Sequence, residues 1–182
     1  EDVFNALKTC YQIKKGDKET LVIDSLSSLE PLIWEKVALE DGKHNIEDLG
    51  FGKGYQIALS YWQEIIQGCR GLINKEIFKR IILIAHSDIV RFESPDSESY
   101  DRYGIKLNKK AVQLFYEQAD IIAFASQPTF IRQVDETGKV RAVAGKKGGT
   151  ILHLKETPSL IAKNRYSLPD KINFTAEAFM NE

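Results

Sequence analysis

The chain has 182 residues, of which 43% are apolar and 28% charged, with 25 Lys and Arg against 26 Asp and Glu. That length buries about 70% of the unfolded surface, so folding needs neither a metal nor a disulfide, and the composition excludes a disordered chain. The near-neutral balance argues against a general cationic binder of nucleic acid or anionic membrane, although residues 129–171 carry nine basic and four acidic side chains and leave room for a local anion-binding surface.

Residues 2–11 read as an amphipathic helix with Val3, Phe4, Leu7 and Tyr11 on one face. Gly16-Asp17 breaks it. Thr20–Asp24, T-L-V-I-D, is a short apolar run ending on a carboxylate, the pattern of a strand buried on both faces of a parallel sheet. Ser25–Leu39 is expected to be helical. Residues 41–54 are a Gly-rich polar loop, and a long helix is expected from Tyr55 to Leu72 with a stripe of Ala58, Tyr61, Trp62, Ile65, Ile66 and Cys69.

Arg80–His86, R-I-I-L-I-A-H, is a second buried strand ending on a polar residue. Residues 87–105 read as a long loop, of a length that is uncommon without a functional reason. Lys106–Ala119 is expected to be helical and Ile121–Ala125 to be a third buried strand. Phe130–Val134, Lys139–Ala144 and Thr150–Leu154 alternate between turn-forming segments and read as an antiparallel meander. Leu160–Arg165 is a candidate last strand, and a short helix is expected near Ala176–Met180. Strands that alternate with helices and then pair with neighbours describe one α/β domain over 1–182: a mostly parallel sheet flanked by helices, with C-terminal antiparallel strands.

Cys10 and Cys69 lie in helical patterns and form no disulfide framework, which suits a reducing compartment. No apolar run approaches 18 residues, so a membrane partner is not expected.

Ligands of such sheets sit beyond the carboxyl ends of the strands, where Asp24 and His86 fall. A carboxylate at Asp24 is suited to the shell of a Mg²⁺ ion, which takes one or two carboxylates along with phosphate oxygens and water; the alternative is an Asp that only caps the following helix. His86 is suited to sensing a terminal phosphate or its attacking water; the alternative is a histidine hydrogen-bonded beneath a loop. Aromatic and cationic residues interleave in two loops, with Lys53 and Tyr55 in one and Arg91, Phe92, Arg102 and Tyr103 in the other. Rings stack on bases and cations meet phosphates, so both loops are candidates for binding a single nucleic-acid strand; ordinary surface loops are the alternative. In Ala162-Lys163-Asn164-Arg165 the two cations, two apart on a strand, would share a face and clamp a phosphate, or merely protect a sheet edge. The pattern G-x-x-x-x-G-K-[ST] is absent from the sequence, as are zinc-ligand spacing and G-x-S-x-G.

L-V-I-D-S-L-S-S-L-E-P-L at 21–32, F-G-K-G-Y at 51–55, I-L-I-A-H-S at 82–87, Y-D-R-Y at 100–103, A-D-I-I-A-F-A from 119, and A-K-N-R with L-P at 162–169 together resemble the RecA-like phosphate-loop ATPases carried by phages and prophages. The resemblance runs from about residue 1 to 170. It implies a RecA-like core with ATP and Mg²⁺ as ligands. Asp24 is then the Walker B acid and metal ligand, with Ser25 beside it at the nucleotide, and His86 the polar sensor. Lys163 and Arg165 are the finger reaching a neighbouring subunit's ATP, and the loops at 43–55 and 88–104 are the DNA-binding loops. It further implies a homo-oligomer that acts on single-stranded DNA in recombination or annealing, alongside a single-strand-binding protein, in the cytoplasm of a bacterium or phage-infected cell. Relatives carry on the order of 50 residues upstream that hold the Walker A loop. The chain, which begins Glu-Asp-Val, is therefore expected to be the C-terminal part of such a core, inactive by itself. A non-catalytic DNA- or protein-binding module of the same ancestry is the alternative. A Mg²⁺-dependent nuclease would need a carboxylate cluster that Asp24 and Asp88 alone do not make.

Overall fold

The computed structural model describes residues 2–94, 98–134, 139–144 and 149–175. They divide into two compact units, Glu1–Asp88 with Ile105–Gln118, and Ile89–Gly104 with Ala119–Glu182.

The first unit is built on α1 (Asp2–Cys10), β1 (Thr20–Asp24), α2 (Leu26–Glu40), α3 (Lys53–Asn74), β2 (Arg80–Ile84) and α4 (Lys109–Gln118). Its strands pair in parallel from Thr20 opposite Arg80 to Asp24 opposite Ile84. Side chains alternate across a strand, and here the two faces differ. Leu21, Ile23, Ile81 and Leu83 pack on the core, whereas Val22, Ile82 and Ile84 are 50%, 37% and 39% exposed. The expectation of strands buried on both faces therefore holds for one face only.

That core is supplied mainly by helices. On α3 the stripe falls as the spacing predicts, with Ala58, Trp62, Ile65, Ile66, Cys69 and Leu72 buried. Tyr61 stays at the margin, its hydroxyl donating to Glu40. Trp62 meets Phe115 of α4 edge-on at 5.2 Å. Between α2 and α3 the polar loop contains a short 3-10 turn, Ile46–Leu49, whose first donors are satisfied by an Asn45–Asp48 capping box. Gly54 is required in the first turn of α3, because a Cβ there would lie 2.7 Å from the Ile46 carbonyl oxygen. Cys10 and Cys69 are free thiols, and burial pushes Cys69 up to about 11.

The second unit is a set of short strands. β3 (Ser87–Phe92) and β4 (Tyr100–Ile105), which begin and end in the first unit, pair with each other, so the long segment expected to be a loop is largely a strand pair. Burial alternates along both strands, with Val90 and Phe92 turned inward in β3 and Tyr100, Arg102 and Gly104 in β4, the two-residue period of a half-buried strand. The run expected to be one buried strand breaks into β5 (Ile121–Ile122) and β6 (Phe124–Ser126), and neither pairs with β1 or β2. β5 pairs antiparallel with β10 (Lys163–Asn164). β6 pairs antiparallel with β9 (Ile151–His153), which also pairs with β11 (Lys171–Asn173). β7 (Thr129–Val134) and β8 (Lys139–Ala144) form the antiparallel hairpin that the turn residues predict. β9, expected as the meander's third strand, leaves it for β6 and β11. The helix expected near 176–180 lies outside the described residues. Apolar burial in this unit is concentrated at Leu152, Leu154, Leu160 and Ala162.

No described helix is long and apolar enough to cross a membrane.

Candidate functional site

β1 ends at Asp24, directly opposite Ile84. His86 follows two residues beyond the end of β2 rather than on it, so both polar residues stand at the same carboxyl rim. By alternation Asp24 shares the exposed face with Val22, Ile82 and Ile84, and the Asp24 and His86 residues are both exposed.

Two readings of Asp24 were open, metal holder or helix cap. The cap of α2 is Ser25: its backbone is extended and its hydroxyl accepts the Ser28 N–H at 3.3 Å. Ser25 is 7% exposed and its hydroxyl also lies 3.0 Å from that of Ser28. The cap therefore leaves the Asp24 carboxylate uncommitted at the rim. The Asp24–Ser25 peptide is cis. No group of three or more His, Cys, Asp or Glu gathers among the described residues. One carboxylate beside a serine and a histidine does not suit an all-protein metal cage. It fits a Mg²⁺ ion held largely by phosphate oxygens and water.

His86 is fixed by its backbone. Its N–H donates to the Ser27 hydroxyl at 2.9 Å, and its carbonyl accepts the Lys106 N–H at 2.8 Å. Ser27 in turn donates to the Lys106 carbonyl at 3.0 Å. One helical turn on, both oxygens of Glu30 accept the Asn108 N–H, at 2.8 and 3.0 Å. Glu30 is 6% exposed, and burial raises its pKa above the ordinary carboxylate value, with the Asn108 hydrogen bond opposing. Sequence reasoning missed Ser27 and Glu30, although both lie in the quoted D-S-L-S-S-L-E-P run.

The expected finger residues lie in the second unit, whereas Asp24 and His86 lie in the first. Only Lys163 and Asn164 have strand pairing, Lys163 opposite Ile122. Arg165 is anchored differently, its guanidinium 3.0 Å from the Asp120 carboxylate and its N–H donating to the Asp120 carbonyl at 3.2 Å.

Of the six expected DNA-contacting residues, Lys53 is exposed at the start of α3. Tyr55 packs edge-on against Trp34 at 5.4 Å and its hydroxyl reaches Glu47. Arg91 pairs with Asp101 at 3.3 Å. Arg102 stacks over the Phe92 ring at 4.1 Å and pairs with Glu156 at 3.0 Å, leaving its side chain 16% exposed. The Tyr103 ring stacks on Phe124 at 5.0 Å yet remains 45% exposed. The most prominent ring is one outside that set. Phe51 protrudes fully between Gly50 and Gly52, all three with positive φ.

A family model described as an AAA domain matches residues 2–166, a span that includes Asp24, His86, Lys163 and Arg165. No curated protein and no solved structure matches the chain. With nine-tenths of its length inside that model, the chain belongs to the AAA domain family of phosphate-loop ATPases.

Proposed function

We propose that the chain is the C-terminal part of a RecA-like ATPase core that works on single-stranded DNA in recombination or annealing. The observation that carries this reading is that β1 ends on Asp24 opposite Ile84 and that His86 follows the end of β2 by two residues, at the same rim. Asp24, with Ser25 beside it, holds the hydration shell of Mg²⁺ at the nucleotide, and the exposed His86 side chain meets the terminal phosphate. A Mg²⁺ ion bound there would neutralise charge on the phosphate oxygens. Lys163 and Arg165 act in trans on a neighbouring subunit's ATP, which makes the protein a homo-oligomer. Arg165 would exchange its Asp120 partner for phosphate, a charge-assisted swap that its planar fork suits. Lys53, Arg91 and Tyr103 are the exposed residues among the proposed DNA contacts. A single-strand-binding protein and a bacterial or phage-infected cytoplasm complete the setting.

The backbone cradle for the α- and β-phosphates is not encoded in these 182 residues, which lack G-x-x-x-x-G-K-[ST]. Turnover is therefore assigned to the full-length protein. There, Asp24→Asn is expected to abolish Mg²⁺-dependent ATP hydrolysis, and Lys163→Ala or Arg165→Ala to reduce DNA-stimulated turnover by about a thousandfold or more, as loss of a finger does. DNA-stimulated turnover unchanged in both finger variants would remove the trans assignment.

The missing motif also favours a second reading, a module that keeps the fold and binds DNA or protein without nucleotide. Calorimetry on this chain and on the full-length protein separates the two. ATP binding only by the full-length protein supports the ATPase, and DNA binding with no ATP binding by either supports the module.

A further inference from the structure

The ladder that ties β1 to β2 ends at Asp24 opposite Ile84. His86 lies beyond it, where no strand pairing fixes its distance from Asp24. What crosses the gap is a side chain. The Ser27 hydroxyl, three residues after Asp24, accepts the His86 N–H at 2.9 Å and donates to the Lys106 carbonyl at 3.0 Å. The Lys106 N–H returns to the His86 carbonyl at 2.8 Å. Ser27, His86 and Lys106 thus close a ring of three hydrogen bonds in which each satisfies another.

The turn that carries Ser27 is itself held from outside. Pro31 has no N–H to return to the Ser27 carbonyl. The adjacent anchor is Glu30, whose buried carboxylate grips the Asn108 N–H. All of these contacts lie within the first unit.

We propose that Ser27 is a positioning residue of the rim: its hydroxyl replaces the missing ladder pair and sets His86 at a fixed separation from Asp24. This rests on the reading of Asp24 and His86 as the nucleotide-facing residues. Ser27 meets neither phosphate nor metal; its effect passes through the backbone of His86. Misplacing a phosphate-facing group by a fraction of an ångström to an ångström costs turnover steeply while leaving ground-state binding largely intact.

The test is a double-mutant cycle in the full-length protein, reading Mg²⁺-ATP turnover in Ser27→Ala, His86→Ala and the double variant. Ser27→Ala is expected to lower kcat between about tenfold and a hundredfold with KM within about twofold. Adding it to His86→Ala is expected to cost nothing further. Ser27→Thr, which keeps the hydroxyl, is expected to restore most of the lost kcat. Should Ser27→Ala fail to fold, Ser27→Cys keeps the volume, weakens the hydrogen bonds and takes its place in the cycle. The same loss on top of His86→Ala, or a folded Ser27→Thr as slow as Ser27→Ala, would overturn the assignment. Turnover that survives Asp24→Asn overturns the rim reading, and the non-additivity of Ser27 and His86 is then judged by itself. A full-length protein that neither binds nor hydrolyses ATP overturns both.

Discussion

The two units of this chain are stabilised by different means. The first is a helical layer on one face of a two-stranded parallel pair, with Trp62, Ile65, Leu72 and Val37 under 2% exposed. It is held by area removed from water, at about 25 cal/mol per Å². The second has strands of two to six residues. Its order is specified by polar and aromatic contacts: Arg102 between Phe92 and Glu156, Arg165 on Asp120, and Ser126 with His153 at 2.8 Å. A close-packed core tolerates loss of volume badly, and a polar network tolerates loss of a partner badly.

Substitutions can break that contrast. The largest effect is expected from Trp62→Ala, a loss of about 3–5 kcal/mol. Both tryptophans, Trp34 and Trp62, lie in the first unit, so the remaining Trp34 fluorescence in a urea titration reports that unit alone. A midpoint unchanged from wild type would mean that the helical layer is not the cooperative core. In the second unit, Arg102→Ala is expected to cost about 1.5–3 kcal/mol, since it removes a charge-assisted hydrogen bond and the cation over Phe92. Hydrogen exchange at Leu152, paired with Ala125 and Ile172, should accelerate while the tryptophan transition stays put. If both probes move together, the two units unfold as one.

Gly54→Ala sharpens the comparison on the packing side. A methyl directed at the Ile46 carbonyl forces the 3-10 turn away from α3, at about 1–3 kcal/mol, visible as a lowered Tm. The smallest effect concerns pH. Burial raises the pKa of Glu30 in the folded protein, so the folded state binds the proton more tightly than the unfolded chain. The stability that Glu30 contributes is fully present below its unfolded value and is lost as pH rises through the higher folded value. Glu30→Gln removes this dependence, so the variant should gain on wild type as pH climbs from 4 towards neutrality. An equal difference at both ends of that range would rule out Glu30 as the titrating group.

Much of the first unit was legible in the sequence because its signals are local and periodic. The α3 stripe and the two apolar runs leading to Asp24 and His86 follow from spacing, whereas the cap of α2, offered in the sequence as the alternative role of Asp24, falls to Ser25. The exposed face of β1 and β2 was not legible, since a run such as T-L-V-I-D reads the same whether one face is covered or both. The second unit was harder for a related reason. Runs of two or three paired residues carry no period, so the break between β5 and β6, and the choice of β9 to pair with β6 and β11, depend on tertiary partners. At the site, Asp24 and His86 could be found because each ends an apolar run. Ser27 and Glu30 could not, because their partners are backbone groups about 60 to 80 positions away, and no side-chain pattern announces a backbone acceptor or donor.

The bare side of the β1–β2 pair has a practical consequence at the bench. Val22, Ile82 and Ile84 form a greasy strip on a ribbon whose outer edges carry no further strand among the described residues. Unshielded ribbon edges template the addition of foreign chains. Concentrated samples of this polypeptide should therefore turn cloudy sooner than its ordinary charge would suggest. Light scattering against concentration, repeated with Ile82→Lys, would show whether that strip is what drives the clouding.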